Sequence, residues 1–240
     1  MLQQQYDEYT PEHFKVWETL FNRQITNLQP TVTEKYLEGL NKIQFHAHRI
    51  PEFTFTNTLL AQSTGWQIQA VPGIIPDKDF FMLLNEKKFP ATCWLRDMSQ
   101  LNYIEQPDMF HDVFGHVPLL TDPHFCEFLL GLSHIALPHI NNEFAIELMS
   151  RIYWFTVEFG LIKEIGNTKI YGAGIVSSSG ETAYSLSPQP QHLPFNVTQV
   201  LHSAFHKDKM QEKYFVVESF EELYHCLPQI EMEINALVHQ

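Results

Sequence analysis

Pro107-Asp108-Met109-Phe110-His111-Asp112-Val113-Phe114-Gly115-His116-Val117-Pro118-Leu119-Leu120 sets two imidazoles five residues apart in a mostly apolar run. On a regular helix, side chains five apart point about 140° from one another at 3.6 residues per turn. Gly115 offers a way round this. A helix that opens near Pro107-Asp108 and ends at Gly115 lets His116 swing off its C-terminus before Pro118. Both ring nitrogens then face one point, and neutral imidazole is the commonest protein metal ligand. The chain holds 13 His, so this spacing alone decides nothing.

A downstream stretch adds the missing charge. Ile152-Tyr153-Trp154-Phe155-Thr156-Val157-Glu158-Phe159-Gly160-Leu161 sets one carboxylate among apolar and aromatic neighbours. Burying an ionised Glu without a partner is costly. Glu158 must therefore be protonated, paired with a cation or bound to a metal. Arg151, seven residues earlier, is the ordinary cationic alternative. Two His and one carboxylate with open positions form the facial triad of non-haem Fe(II) oxygenases.

Three stretches carry a resemblance: HDVFGHVPLL (111–120), YWFTVEFGL (153–161) and YGAGIVSSSGE (171–181). In type, order and separation they resemble the signature stretches of the pterin-dependent aromatic amino acid hydroxylases, most of all the short bacterial phenylalanine-hydroxylating members. The resemblance spans about Tyr9 to Leu227. It implies a mainly α fold, α+β by class: one catalytic domain over residues 1–240, with helices around a non-haem iron pocket and a few short strands. It implies that His111, His116 and Glu158 hold Fe(II) and that a tetrahydropterin (tetrahydrobiopterin or a relative) is co-substrate. The implied reaction is hydroxylation of L-Phe to L-Tyr by O2 through an iron-oxo species.

Composition sets wider bounds. The chain has 240 residues, 44% of them hydrophobic, and 19 Phe, as expected of a packed globular core. A net charge of −13 argues against nucleic acid and anionic membrane surfaces. No apolar run reaches the 18 or so residues of a membrane span. The opening MLQQQYDEYT lacks the basic and apolar regions of a secretory signal. Cys93, Cys126 and Cys226 are odd in number and far apart, which reads as free thiols in a reducing cytoplasm.

Along the chain, Thr10-Pro11-Glu12 is a helix start, with Trp17, Leu20, Phe21 and Ile25 on its core face. Helices follow over 33–45 and 56–63. Trp66 to Val71 alternates as a strand. Val71 to Pro76 holds two Pro and one Gly and breaks regular structure, and Asp77 caps the helix after it. On residues alone this is a loop packed on a core. The resemblance implies that Val71, Gly73 and Ile75 line the pterin and that Phe80 stacks on it. A second strand over 89–95 delivers Arg96, which reads as a plain surface charge until the resemblance gives it the substrate's α-carboxylate. The guanidinium fork suits that role.

Beyond Asp122-Pro123 the pattern is helical, with a long helix from about Asn141 to Lys163. Trp154 and Glu158, at i and i+4, share a face on it. A strand interrupted by glycine is expected over 169–176, a helix over 196–205, a strand over 214–217 and a last helix from Ser219 to Cys226. The resemblance places Tyr103, Trp154, Ser177 and Glu181 on the substrate side, with Ser177 supporting His111 and Glu181 near Arg96. Asp112 is the implied pterin-side acid, where animal members carry Glu. Trp154 disfavours tryptophan as substrate, since Trp-hydroxylating members usually carry Phe there. Ile104 replaces a common Thr. No regulatory or tetramer-forming segment is expected, so the chain reads as a monomer or weak dimer acting on small molecules. Other readings stand beside this one: the same chemistry on L-Tyr or L-Trp, a zinc hydrolase with Asp112 or Glu181 as base, and a metal-binding relative without catalysis.

Overall fold

The computed structural model describes residues 2–102, 104–207 and 209–239. Helix α1 (Pro11–Leu28) opens on Thr10, whose hydroxyl accepts from the His13 backbone N–H while the His13 ring answers the Thr10 N–H. Its buried face carries Val16, Trp17, Leu20 and Phe21, with Ile25 only partly covered. Helices α2 (Glu34–Lys42) and α3 (Phe53–Ser63) complete the N-terminal layer. Strand β1 (Gln67–Val71) runs parallel to β2 (Lys88–Thr92), with Val71 in register with Thr92. Between them lies α4 (Asp77–Asn85). Pro76, not Asp77, holds the cap position there, and Asp77 sits in the first turn, where its charge complements the positive end of the helix dipole. Strand β2 stops at Thr92, three residues short of the expected end, so Arg96 follows an irregular bridge.

The stretch with both His departs from expectation. Residues Phe110–His116 form a π-helical turn, and Val117–Thr121 continue as a tight 3-10 turn. An i→i+5 bonding pattern widens the turn, which brings residues five apart back toward one face. The helix does not end at Gly115. That glycine meets a neighbour instead: a Cβ there would lie 3.1 Å from the Ala173 carbonyl oxygen and 3.2 Å from its Cβ. Phe110 and Phe114 fill the opposite face, stacked at 4.6 Å and packed on Trp17 and Phe21. Pro118 lacks the N–H that would bond the Phe114 carbonyl four residues back, and the Tyr36 hydroxyl donates to that oxygen at 2.6 Å.

Asp122 and Asn142 cap α5 (Pro123–Ala136) and α6 (Glu143–Tyr153). The expected helix to Lys163 is shorter. It ends at Tyr153, passes into a second π turn over Trp154–Glu158, and gives way to strand β3 (Leu161–Glu164). The Phe159 N–H reaches the Trp154 carbonyl at 2.9 Å, the i→i+5 bond that defines this turn. Strand β4 (Asn167–Ile170) returns antiparallel through Gly166, which has a φ of 76°.

The glycine-bearing run after β4 is not strand. It holds helix α7 (Ala173–Val176), followed by α8 (Ser179–Ser185). Gly172 lies so close to the Glu158 carbonyl that a Cβ would collide with it. Strand β5 (Gln191–Pro194), the short α9 (Val197–Leu201) and β6 (Lys213–Val217) follow. They complete a sheet of order β4-β3-β6-β5. Helix α10 (Phe220–His225), capped by Ser219, leads into α11 (Leu227–Val238), an amphipathic helix beyond the last element expected from sequence. The three cysteines are free. Burial pushes the Cys126 thiol up to about 12 and the Cys93 thiol to about 11. Among the described residues no helix is long and apolar enough to cross a membrane.

Candidate active site

The two π turns face each other across one point. His111 Nε2 lies 3.6 Å from Glu158 Oε2, and His116 Nε2 lies 3.2 Å from Glu158 Oε1. The three donor atoms fall within 4.8 Å of one another. The imidazoles stand nearly perpendicular, 84° apart, with centroids 5.1 Å apart. Arg151 does not serve Glu158: its guanidinium holds Glu147 and the Leu201 carbonyl. Burial tends to raise the Glu158 pKa, but the adjacent imidazoles, His116 first, outweigh it and hold the carboxyl below its ordinary range. Two imidazole nitrogens and one carboxylate oxygen, with no Lys or Arg bonded to the carboxylate among the described residues, fit a divalent transition metal.

Proton positions at His111 follow from its neighbour. The Ser177 hydroxyl donates its one proton to the Ala173 carbonyl at 2.8 Å. It can therefore only accept from His111 Nδ1, 2.9 Å away. This fixes the tautomer and leaves the Nε2 lone pair aimed at Glu158 and the metal position. His116 is held differently. Its ring lies between Phe89 (4.7 Å) and Tyr153 (6.5 Å), and its Nδ1 is buried without a partner among the described residues.

Arg96 is buried, with 6% of its surface exposed, contrary to a plain surface charge. Its Nε and Nη2 donate to the two oxygens of Asp108 at 2.8 Å each, and its backbone N–H adds a third bond at 3.0 Å. Asp108 also accepts from the His111 backbone N–H at 3.2 Å. One fully buried carboxylate thus couples the arginine to the first π turn. Sequence reasoning missed this role. The signal was an Asp at the mouth of an apolar helix, three residues before a candidate ligand. Glu181 does not pair with Arg96; its carboxylate accepts from the Tyr214 hydroxyl. Burial, only partly offset by that bond, raises the Glu181 pKa.

The residues nominated for a pterin come from β1, the loop after it, α4 and the first π turn. Asp112 Oδ2 accepts from the Thr92 N–H at 2.8 Å and the Thr92 hydroxyl at 2.9 Å. Thr92 is the register partner of Val71, so the strand end that starts the Gly73–Ile75 loop is tied to the residue after His111. Burial raises the Asp112 pKa against the pull of His111 and of these bonds. Gly73 and Ile75 are half-buried, and a Cβ on Gly73 would meet open space. Phe80 is half-buried and stands edge-on to Tyr153 at 5.3 Å. Trp154 stacks on Phe205 and packs on the tilted ring of Phe159, each at 4.7 Å. Tyr103 lies outside the described residues. A surface cleft of about 340 Å³ beside Thr64, Lys87 and Glu127 holds none of these side chains.

The profile of the family described as biopterin-dependent aromatic amino acid hydroxylase matches residues 5–238. A phenylalanine-4-hydroxylase of Chromobacterium violaceum is 41% identical over 226 residues, which are 93% of this chain and 75% of that protein. A crystal structure of phenylalanine hydroxylase from the same organism, with bound iron(III) and oxidised 7,8-dihydrobiopterin, superimposes with a TM-score of 0.92 at 39% identity, covering 98% of this chain and 86% of that one. Another, with iron and phenylalanine bound, gives a TM-score of 0.90 at 37% identity, covering 98% and 87%.

Proposed function

The chain belongs to the biopterin-dependent aromatic amino acid hydroxylases, and from that membership we propose that it converts L-phenylalanine to L-tyrosine with O2 and a tetrahydropterin. The observation that carries the reading is the meeting of His111, His116 and Glu158 beside the buried Arg96–Asp108 pair.

His111, His116 and Glu158 would hold Fe(II). Bound there, the metal supplies the activation of O2 with the pterin that oxygenates the aromatic ring. The chain does the rest. Ser177 keeps His111 in the tautomer that offers Nε2. Asp108 occupies Nε and Nη2 of Arg96, orienting the fork so that Nη1 is left for the amino acid's carboxylate. Trp154, backed by Phe159 and Phe205, adds its indole to the aromatic surroundings of the substrate ring. Phe80 offers an aromatic face to the pterin, and Val71, Gly73 and Ile75 line its edge. Asp112, anchored on Thr92, is the acid on that side. Apolar burial around the two π turns excludes water from the reacting groups.

The zinc-hydrolase reading has no support from the relatives, and both bases nominated for it are engaged, Asp112 with Thr92 and Glu181 with Tyr214. We take residues 1–240 as one catalytic unit, monomeric or weakly dimeric; sedimentation over a concentration series that finds a stable tetramer overturns this. Free thiols favour the cytoplasm, which cell fractionation tests. The deciding assay supplies Fe(II)-loaded protein with tetrahydropterin, O2 and each of L-Phe, L-Tyr and L-Trp. Tyrosine from Phe, abolished in His111→Ala, His116→Ala and Glu158→Ala, is the expected result. Product from Trp or Tyr alone overturns the substrate assignment, and no product from any of the three overturns the reaction.

A further inference from the structure

Gln211 uses both ends of its amide beside the second π turn. It is buried, with 4% of its surface exposed. Its Oε1 accepts from the Trp154 indole N–H at 3.0 Å. Its Nε2 donates to the His206 carbonyl at 2.8 Å and the Lys209 carbonyl at 3.1 Å. The indole can only donate and carbonyls can only accept, so the amide has one orientation. Both carbonyls belong to the exposed chain that also carries Phe205, the ring stacked on Trp154 at 4.7 Å. Lys207, between the two gripped carbonyls, sits 6.0 Å from the centre of the Phe205 ring.

We propose that Gln211 is a positioning residue for the amino acid substrate: it sets the indole plane of Trp154 and clasps His206 and Lys209, the neighbours of Phe205, against it. This rests on the reading of Trp154 as the wall of the substrate site. The indole starts the turn that ends in Glu158, so its tilt and the place of the carboxylate are set within one turn. Glutamine is the residue this job requires. A methionine keeps the volume and loses all three bonds. A glutamate keeps the indole's acceptor but turns an anion toward two carbonyl oxygens. The consequence belongs to the aromatic amino acid rather than to the pterin, whose nominated residues lie on β1, the loop after it, α4 and the first π turn.

The test uses iron-loaded full-length protein: wild type, Gln211→Met, Gln211→Glu, Trp154→Phe and the double variant Trp154→Phe/Gln211→Met. In Gln211→Met the KM for L-Phe rises about fivefold, the scale of one lost hydrogen bond. Tyrosine formed per tetrahydropterin oxidised falls, while the pterin KM and iron content hold. The double variant is no worse than the worse single, because both changes break one link. Trypsin cuts after Lys207 and Lys209 faster in Gln211→Met than in wild type. A Gln211→Met protein with wild-type KM and coupling overturns the proposal. Additive losses do so too, as do equal losses in pterin KM and iron. If Gln211→Met fails to fold, Gln211→Glu in the same assays decides. A wild type that hydroxylates no aromatic amino acid sinks the proposed function instead, and the cleavage rates still judge the clasp: unchanged rates overturn it, faster rates uphold it.

Discussion

Ser177 carries a single hydroxyl proton, which the Ala173 carbonyl takes, so the lone pairs left over dictate which nitrogen of His111 is bare. Ser177→Ala removes that control. It lowers Fe(II) or Co(II) affinity by about 10–100-fold, read by chelator competition; unchanged affinity contradicts the assignment. Asp108 is a second case in which one atom's partner decides the chemistry. Asp108→Ala strands the buried Arg96 cation, and urea titration of the metal-free protein shows a loss of about 3–5 kcal/mol. A cost below about 1 kcal/mol contradicts a buried pair. Asp112 behaves in the opposite sense. Burial holds its pKa above the ordinary carboxylate value, so the native state binds the proton more tightly than the unfolded chain does. Stability from this group is present below about pH 4, the unfolded value, and is lost as pH rises through the folded pKa. Asparagine keeps the acceptor for both Thr92 bonds. Metal-free Asp112→Asn therefore gains stability over wild type as pH rises from 4 to 7, and a gap that shrinks over that range refutes the argument.

The elements that carry the site are the ones sequence periodicity handled least well. Two His five apart posed a geometric problem, and the chain solves it by widening the turn rather than by ending the helix. A π turn has no distinctive residue signature, so Trp154 to Glu158 also passed for ordinary helix. Gly115 and Gly172 were legible as punctuation but not for what they do, because each answers a neighbour distant in sequence. Gly115 admits Ala173 and Gly172 admits the Glu158 carbonyl. This predicts an order of severity. A methyl at Gly115 meets atoms just over 3 Å away, and small shifts of α7 absorb it. At Gly172 the obstacle is the backbone of the residue that bears the carboxylate. Gly172→Ala costs about 1–3 kcal/mol and weakens metal binding more than Gly115→Ala does. Thermal melts with and without Co(II) check this, and equal effects remove the link between α7 and Glu158.

Across the molecule, the parts fixed by residues near in sequence were readable: the capped starts of α1, α5 and α6, and strands β1 and β6. The parts fixed by long-range contact were not: the Asp108 clamp on Arg96, the turn of Glu181 toward Tyr214, and the docking of α11. The metal position joins three ligands from segments more than 40 residues apart in the chain, so occupancy couples the two π turns and whatever each packs against. The first turn stands on the aromatic cluster of α1, and the second leads into the sheet through β3. A ligand bound only by the folded state at 100 times its Kd adds about 2.7 kcal/mol. For a chain of this size that raises Tm by about 5–10 °C. Fe(II) or Co(II) added to metal-free wild type produces this rise as one concerted transition, because both turns belong to one core. In Glu158→Ala the rise disappears. In Trp154→Phe, which leaves all three ligands in place, it is kept. A melt that splits into two steps on metal addition means that the turns belong to separately folding parts, and a Glu158→Ala protein that keeps the full shift means that the metal binds elsewhere.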